Sequence, residues 1–339
     1  MKVVLSHKRI NYLDTLRLVA ILMIITLHSP MPGLDENGYV YSSVSFLMAP
    51  GIGLFFMISG SLLLPCQTSM KDFLKRRIGK VVFPTLFWTF VYLSINWLQH
   101  GTTFHQAILS VLSIPFSSQG SGIIWFMYTL IGLYLITPII SPWIKQASKR
   151  EIEFILLLWA VTLCYPLLST FITINEGREG LLYYFCGYAG YFVLGYYLRK
   201  YHQLTKYNVI VLLLIIPIAV ATITKLMAIK IDFYTVFWYL SIFTVMMCTA
   251  WYLLVMKLFR NCYSRLVQLA SKCSFGIYFI HIIVMRQMIW KWEFISQFGC
   301  LAQIIMTVLL TFSISLAIVY LIGYMPFSKY IIGFEKSKT

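Results

Sequence analysis

The sequence predicts an all-α bundle of about ten transmembrane helices, a polytopic membrane protein with both termini in the cytoplasm. Three observations carry that prediction. Of the 339 residues, 60% are hydrophobic and only 11% are charged, about half the charged fraction of a soluble domain. Apolar runs of roughly 20 residues, the length needed to cross about 30 Å of hydrocarbon, recur along the whole chain. The lysines and arginines cluster in alternate connections, as the positive-inside pattern requires.

The first run, 12–29, follows Lys8 and Arg9 and so has the opening of a signal peptide. No A-x-A-like cleavage site follows it, however, and Asp14 and Arg17 interrupt it, so it is expected to remain as the first helix. The second, 44–64, contains Gly51, Gly53, Ser59, Gly60 and Ser61, small residues that let helix backbones approach closely in a membrane. The third, 82–99, follows MKDFLKRRIGKVVFP, a stretch with Lys71, Lys75, Arg76, Arg77 and Lys80. Residues 100–121 then suit an amphipathic stretch lying on the membrane interface.

The fourth and fifth spans, 122–142 and 152–173, hold Pro138 and Pro166, which read as kinks because neighbouring helices can satisfy the freed carbonyls. The sixth is 181–198, and the seventh, 207–224, holds Pro217 as a further kink. The remaining three are 233–256, 273–290 and 300–323. With the N-terminus inside, 22 of the 27 lysines and arginines fall on the inner side, leaving Arg178, Lys225, Lys230, Arg286 and Lys291 outside.

Topology thus explains most of the net charge of +16, and no nucleic-acid partner is implied. Seven cysteines stand singly with no CxxC spacing, so neither a zinc site nor a disulfide framework is expected. No metal-binding pattern and no strong internal repeat is visible. The chain is expected to form a single integral membrane domain over residues 1–339, without an appended extracytoplasmic domain.

Ionisable residues inside a span are costly and mark functional interiors. In the first helix Arg17 and His28 are eleven residues apart, three turns plus about 20°, so both project from one face. Asp14 falls on that side too and can pair with Arg17. Asp35, seven residues beyond His28, is a candidate to orient its imidazole. Arg77 and Lys80, with Arg76 beside them, present cations suited to a polyphosphate. The ninth span contains SKCSFGIYFIH, with Tyr278, His281 and Arg286, a set expected to line a polar interior. Trp125 is a candidate to stack on a sugar.

The ordered set NYLDTLRLVAILMIITLH, GIGLFFMISGSLLL, FLKRRIGKVVFP, GIIWFMYTLIGLYLITP, GYAGYFVLGYYL and SFGIYFIH resembles the acyltransferase-3 family of integral membrane acyltransferases. Arg17 and His28 match its R-x10-H arrangement. The resemblance implies transfer of an acyl group, commonly acetyl from acetyl-CoA, from the cytoplasmic side to a hydroxyl at the outer side. It makes His28 the essential histidine, Arg17 its basic partner, and Arg77 and Lys80 the pair that meets the coenzyme A phosphates. The second member of that pair is Lys here, which keeps the charge but loses the planar fork of Arg.

The expected acceptor is a cell-surface glycan or lipid-linked sugar, the expected location a bacterial inner membrane, and glycan-synthesis enzymes are the expected partners besides membrane lipid. An imidazole can deprotonate an attacking hydroxyl or itself accept the acyl group. The competing reading is a transporter or flippase for a glycan or lipid-linked sugar that uses the same polar interior as a pathway. A cytoplasmic phosphate clamp leading to an outward histidine favours the enzyme.

Overall fold

Helix α1, Asn11–His28, is the pivot around which the bundle is assembled. It packs against α2 (Tyr39–Met48), α3 (Pro50–Leu63), α9 (Ile242–Leu258), α10 (Arg265–Gln287) and α11 (Cys300–Ile322). The remaining principal helices are α4 (Met70–His100), α5 (Phe104–Ser113), α6 (Trp125–Gln146), α7 (Lys149–Leu163) and α8 (Ala189–Tyr201).

The computed structural model describes residues 9–34, 39–101, 103–113, 122–169, 172, 180–201 and 238–336. Among these residues there is helix but no strand, and seven helical segments are long and apolar enough to cross a membrane. The expected seventh span, 207–224, the first residues of the eighth and Asp35 lie outside the described residues.

The core is apolar, as in a water-soluble protein, but the outward face is apolar too, and a few polar side chains are buried inside. Phe83, Leu86, Phe90 and Leu98 on α4 and Leu301, Leu309 and Leu321 on α11 are exposed. Asp14, Ser61, Thr85 and His281 are buried. A bilayer solvates the first set, and only protein partners can satisfy the second.

Several boundaries differ from those read off hydropathy. The run 44–64 crosses as one segment, Ser43–Leu63, whose backbone stays helical through Ala49 at the junction of α2 and α3; Pro50 there brings no N–H to the helical ladder. Helix α4 begins at Met70, twelve residues before its apolar stretch. The Ser69 Oγ accepts from the Asp72 N–H at 3.2 Å and caps it, so the basic cluster forms the first turns of the helix itself.

The expected span 181–198 is helical only from Ala189. Tyr183–Phe185 forms a 3-10 turn, and Gly187 takes a φ of 95° that a helix does not accommodate. Its helix, α8, is 13 residues long.

Helices α3 and α8 touch backbone to backbone. A Cβ on Gly60 would overlap the Phe192 carbonyl, and one on Gly195 would overlap the Met57 carbonyl. The Ser61 Oγ lies 2.8 Å from the Gly195 carbonyl oxygen and 2.8 Å from the Tyr252 hydroxyl, which ties α9 to the same seam. Gly60→Ala is expected to destabilise the protein by about 1–3 kcal/mol through overpacking. Gly132→Ala, where a Cβ meets nothing within 4 Å, should leave it unchanged. Thermal unfolding of the two variants in detergent checks the difference.

Candidate active site

Helices α1 and α10 run in the same direction and are in contact at two levels ten or eleven residues apart. At the first level Arg17 Nη1 lies 3.4 Å from the Ser271 hydroxyl. At the second the rings of His28 and His281 lie 5.7 Å apart between centroids. Matching advances on two parallel helices hold both contacts in register, about 16 Å apart along the axis.

The centre of the lower level is Asp14, only 3% exposed. Arg9 grips its carboxylate with two hydrogen bonds, Nε to Oδ2 at 2.5 Å and Nη2 to Oδ1 at 2.9 Å. The Ser271 hydroxyl donates to Oδ1 at 2.6 Å, and Arg17 Nη1 stands 3.6 Å from the same oxygen. Arg9 also donates to the Gln268 carbonyl at 3.3 Å.

Asp14 does pair with Arg17, as the i, i+3 spacing suggests, but its tighter partner is Arg9, which sequence reasoning counted only as a topological charge. Ser271 was missed altogether; a serine in a polar run carries no signal until its neighbour is known. Asp14 lies about 21 Å along α1 from His28, and its carboxylate joins α1 to α10 through the Ser271 hydroxyl.

Arg77 is half-buried on α4, with its guanidinium 6.0 Å from the Phe73 ring centre, while Arg76 and Lys80 are exposed. Arg9 and Arg77 are the cations whose fields reach Arg17. Among the described residues no ion pair engages Arg76, Arg77 or Lys80. Their charges remain available to an anion at this end of the bundle.

At the upper level His281 is fully buried. Its Nδ1 is 2.6 Å from the Tyr278 carbonyl oxygen. A carbonyl can only accept, so Nδ1 carries the proton, and Nε2 of the neutral ring offers a lone pair. Among the described residues that Nε2 has no hydrogen-bond partner.

His28 faces a cavity of about 690 Å³, a volume typical of small-molecule sites. Trp125, Tyr278 and Arg286 line the same cavity. The sequence placed these residues on three separate spans and could not say that they meet. Arg286 sits 5.7 Å from the Trp290 ring centre at the wall, and the Tyr278 hydroxyl donates to the Ile123 carbonyl.

Tyr239 and Trp238 complete the aromatic side, with Trp125 and Tyr239 rings 5.3 Å apart. These two were not singled out from sequence, where they are ordinary interface-type aromatics. Tyr184, by contrast, is 86% exposed and is not among the lining residues.

A membrane helix bundle with cations gathered at one end and a histidine-walled cavity toward the other defines an integral membrane protein built around an internal polar site. The family model described as an acyltransferase domain, that of the acyltransferase-3 family, matches residues 10–324, and the chain belongs to this family. It is a multi-pass membrane acyltransferase. No curated protein and no solved structure matches the chain.

Proposed function

We propose that the protein moves an acetyl group from acetyl-CoA, bound at the charge-rich cytoplasmic end, to a hydroxyl of a cell-surface glycan or lipid-linked sugar in the inner membrane of a bacterium. The observation that carries this reading is His28 on the wall of the 690 Å³ cavity with a second imidazole behind it.

In the reaction the acceptor oxygen bonds to the thioester carbonyl carbon as the carbon–sulfur bond breaks. His28 takes the hydroxyl proton and returns it to the departing thiolate. His281, its Nδ1 proton held by the Tyr278 carbonyl, does not line the cavity itself but stands behind His28, with ring centroids 5.7 Å apart. Arg286 stands at the cavity wall, where a guanidinium favours developing negative charge. Trp125, with Tyr239 beside it, offers an aromatic face to a sugar ring.

The donor's phosphates are assigned to Arg17, Arg77 and Lys80, with Arg76 at the margin. Arg17 has donors to spare because Arg9 already satisfies most of Asp14. Cells supplied with isotope-labelled acetyl-CoA precursor should place the label in surface-glycan esters only when the protein is present. Absence of label from glycan and lipid-linked sugar alike would overturn the reading.

A second expected result concerns the clamp. Changing Arg77 and Lys80 together to Gln should weaken acetyl-CoA binding about tenfold or more, the worth of one or two charge-assisted hydrogen bonds. Isothermal titration on purified protein checks it.

A further inference from the structure

We propose that a second cavity at the charge-rich end, separate from the one His28 faces, binds a phosphate-bearing ligand. It encloses about 490 Å³ between the C-terminal ends of α3, α6 and α8 and the α3–α4 connection. Lys145, Arg199 and Lys200 line it together with Gln67, Tyr196 and Ser61, and no acidic side chain does.

Charge alone is what the cytoplasmic end of any membrane bundle carries. The fixed geometry is what that rule does not explain. Arg199 donates through Nη1 to the backbone carbonyl of Ser61, and Ser61 is itself locked between Gly195 and Tyr252. One edge of the guanidinium is thereby held, and among the described residues the rest of its fork makes no further hydrogen bond. The Lys200 ammonium donates to the Tyr196 hydroxyl at 2.9 Å and lies 5.4 Å and 4.8 Å from the Tyr196 and Tyr201 ring centres.

Two of the three cations are therefore oriented in advance, and among the described residues none of the three takes part in an ion pair. The lower level of α1 is the contrast, because there Asp14 balances Arg9 and Arg17. Pre-oriented cations around a cavity, with a neutral amide and a phenol beside them, match the tetrahedral array of acceptors on a phosphate.

Two sources supply that chemistry at this depth: the headgroup of an anionic phospholipid, or the phosphates of the acyl donor. The second source rests on the function proposed above, and the first does not.

The test uses the full chain reconstituted in phosphatidylcholine nanodiscs doped with phosphatidylglycerol. Retained phosphatidylglycerol is read by mass spectrometry, and coenzyme A affinity by isothermal titration. In the Lys145→Gln, Lys200→Gln variant one of the two readouts is expected to fall about tenfold or more, the loss of two charged donors. Lys145→Arg should keep it.

A fall in phosphatidylglycerol retention alone identifies a lipid site, and a fall in coenzyme A affinity alone identifies a donor site. If neither readout falls, or if the unaltered chain retains neither probe, the proposal is overturned. Lys145→Gln alone removes an exposed side chain and keeps the test readable should the double variant fold poorly. An unaltered chain that binds a probe, loses it in the variant and yet transfers no acyl group would count against the proposed reaction and leave this site standing.

Discussion

Replacing His28 with alanine is expected to slow acyl transfer about a hundred- to ten-thousand-fold, the range that a positioned general base contributes. The loss should fall on kcat. Arg17, the donor cation on the same helix, stands about 16 Å away along α1, so acetyl-CoA affinity in the same variant should stay within a factor of about two. His28 is only half-buried at the end of its helix, so its truncation costs little packing and the protein should remain folded. Steady-state transfer assays beside a thermal-unfolding curve separate these outcomes. A His28→Ala protein that is folded and transfers at the normal rate would remove the histidine from the mechanism.

The largest effect on stability is expected at Asp14. Removing its carboxylate leaves Arg9 and Arg17 facing each other with only the Ser271 hydroxyl between them. Breaking a buried ion pair by deleting one partner costs about 3–5 kcal/mol. Arg9 reaches solvent, with 36% of its side chain exposed, so the lower end of that range, about 3 kcal/mol, is expected for Asp14→Ala. Arg9→Ala should cost less, because Arg17 and Ser271 remain to satisfy the carboxylate. Unfolding midpoints of the two variants, compared in one detergent, give the order. An Asp14→Ala protein as stable as the unaltered chain would contradict its role as anchor.

Much of the bundle was legible because lipid imposes a simple rule on a chain: about 20 apolar residues for each crossing. The stripe joining Arg17 to His28 was legible for an equally local reason, the fixed pitch of one unbroken helix. Hydropathy failed at boundaries where the cause is hydrogen bonding. Helix α4 extends back to Met70 because Ser69 caps it, although the intervening residues are charged. Helix α8 starts late because of the backbone at Gly187, although Tyr183 and Tyr184 looked fit for a membrane.

The contents of the site were legible as a list, with His28, His281 and Arg286 flagged as costly in lipid, Tyr278 beside them in the same span and Trp125 as an aromatic face for a sugar. Their meeting was not, since it depends on the register between α1 and α10, and no feature within either segment reports on the other. Arg9 escaped for a related reason: in sequence it is one basic residue among many before a span, and only the fold shows it closing on Asp14.

The two contacts between α1 and α10 also make the pair a measuring rod. Neither helix is interrupted between its marks, so the spacing from the Arg17 level to the His28 level is set by a count of residues and cannot stretch. On the proposed reading, selection among acyl donors would then begin with length. A molecule whose phosphate and thioester ends are too close together cannot touch both marks at once, whatever the chemistry of either end.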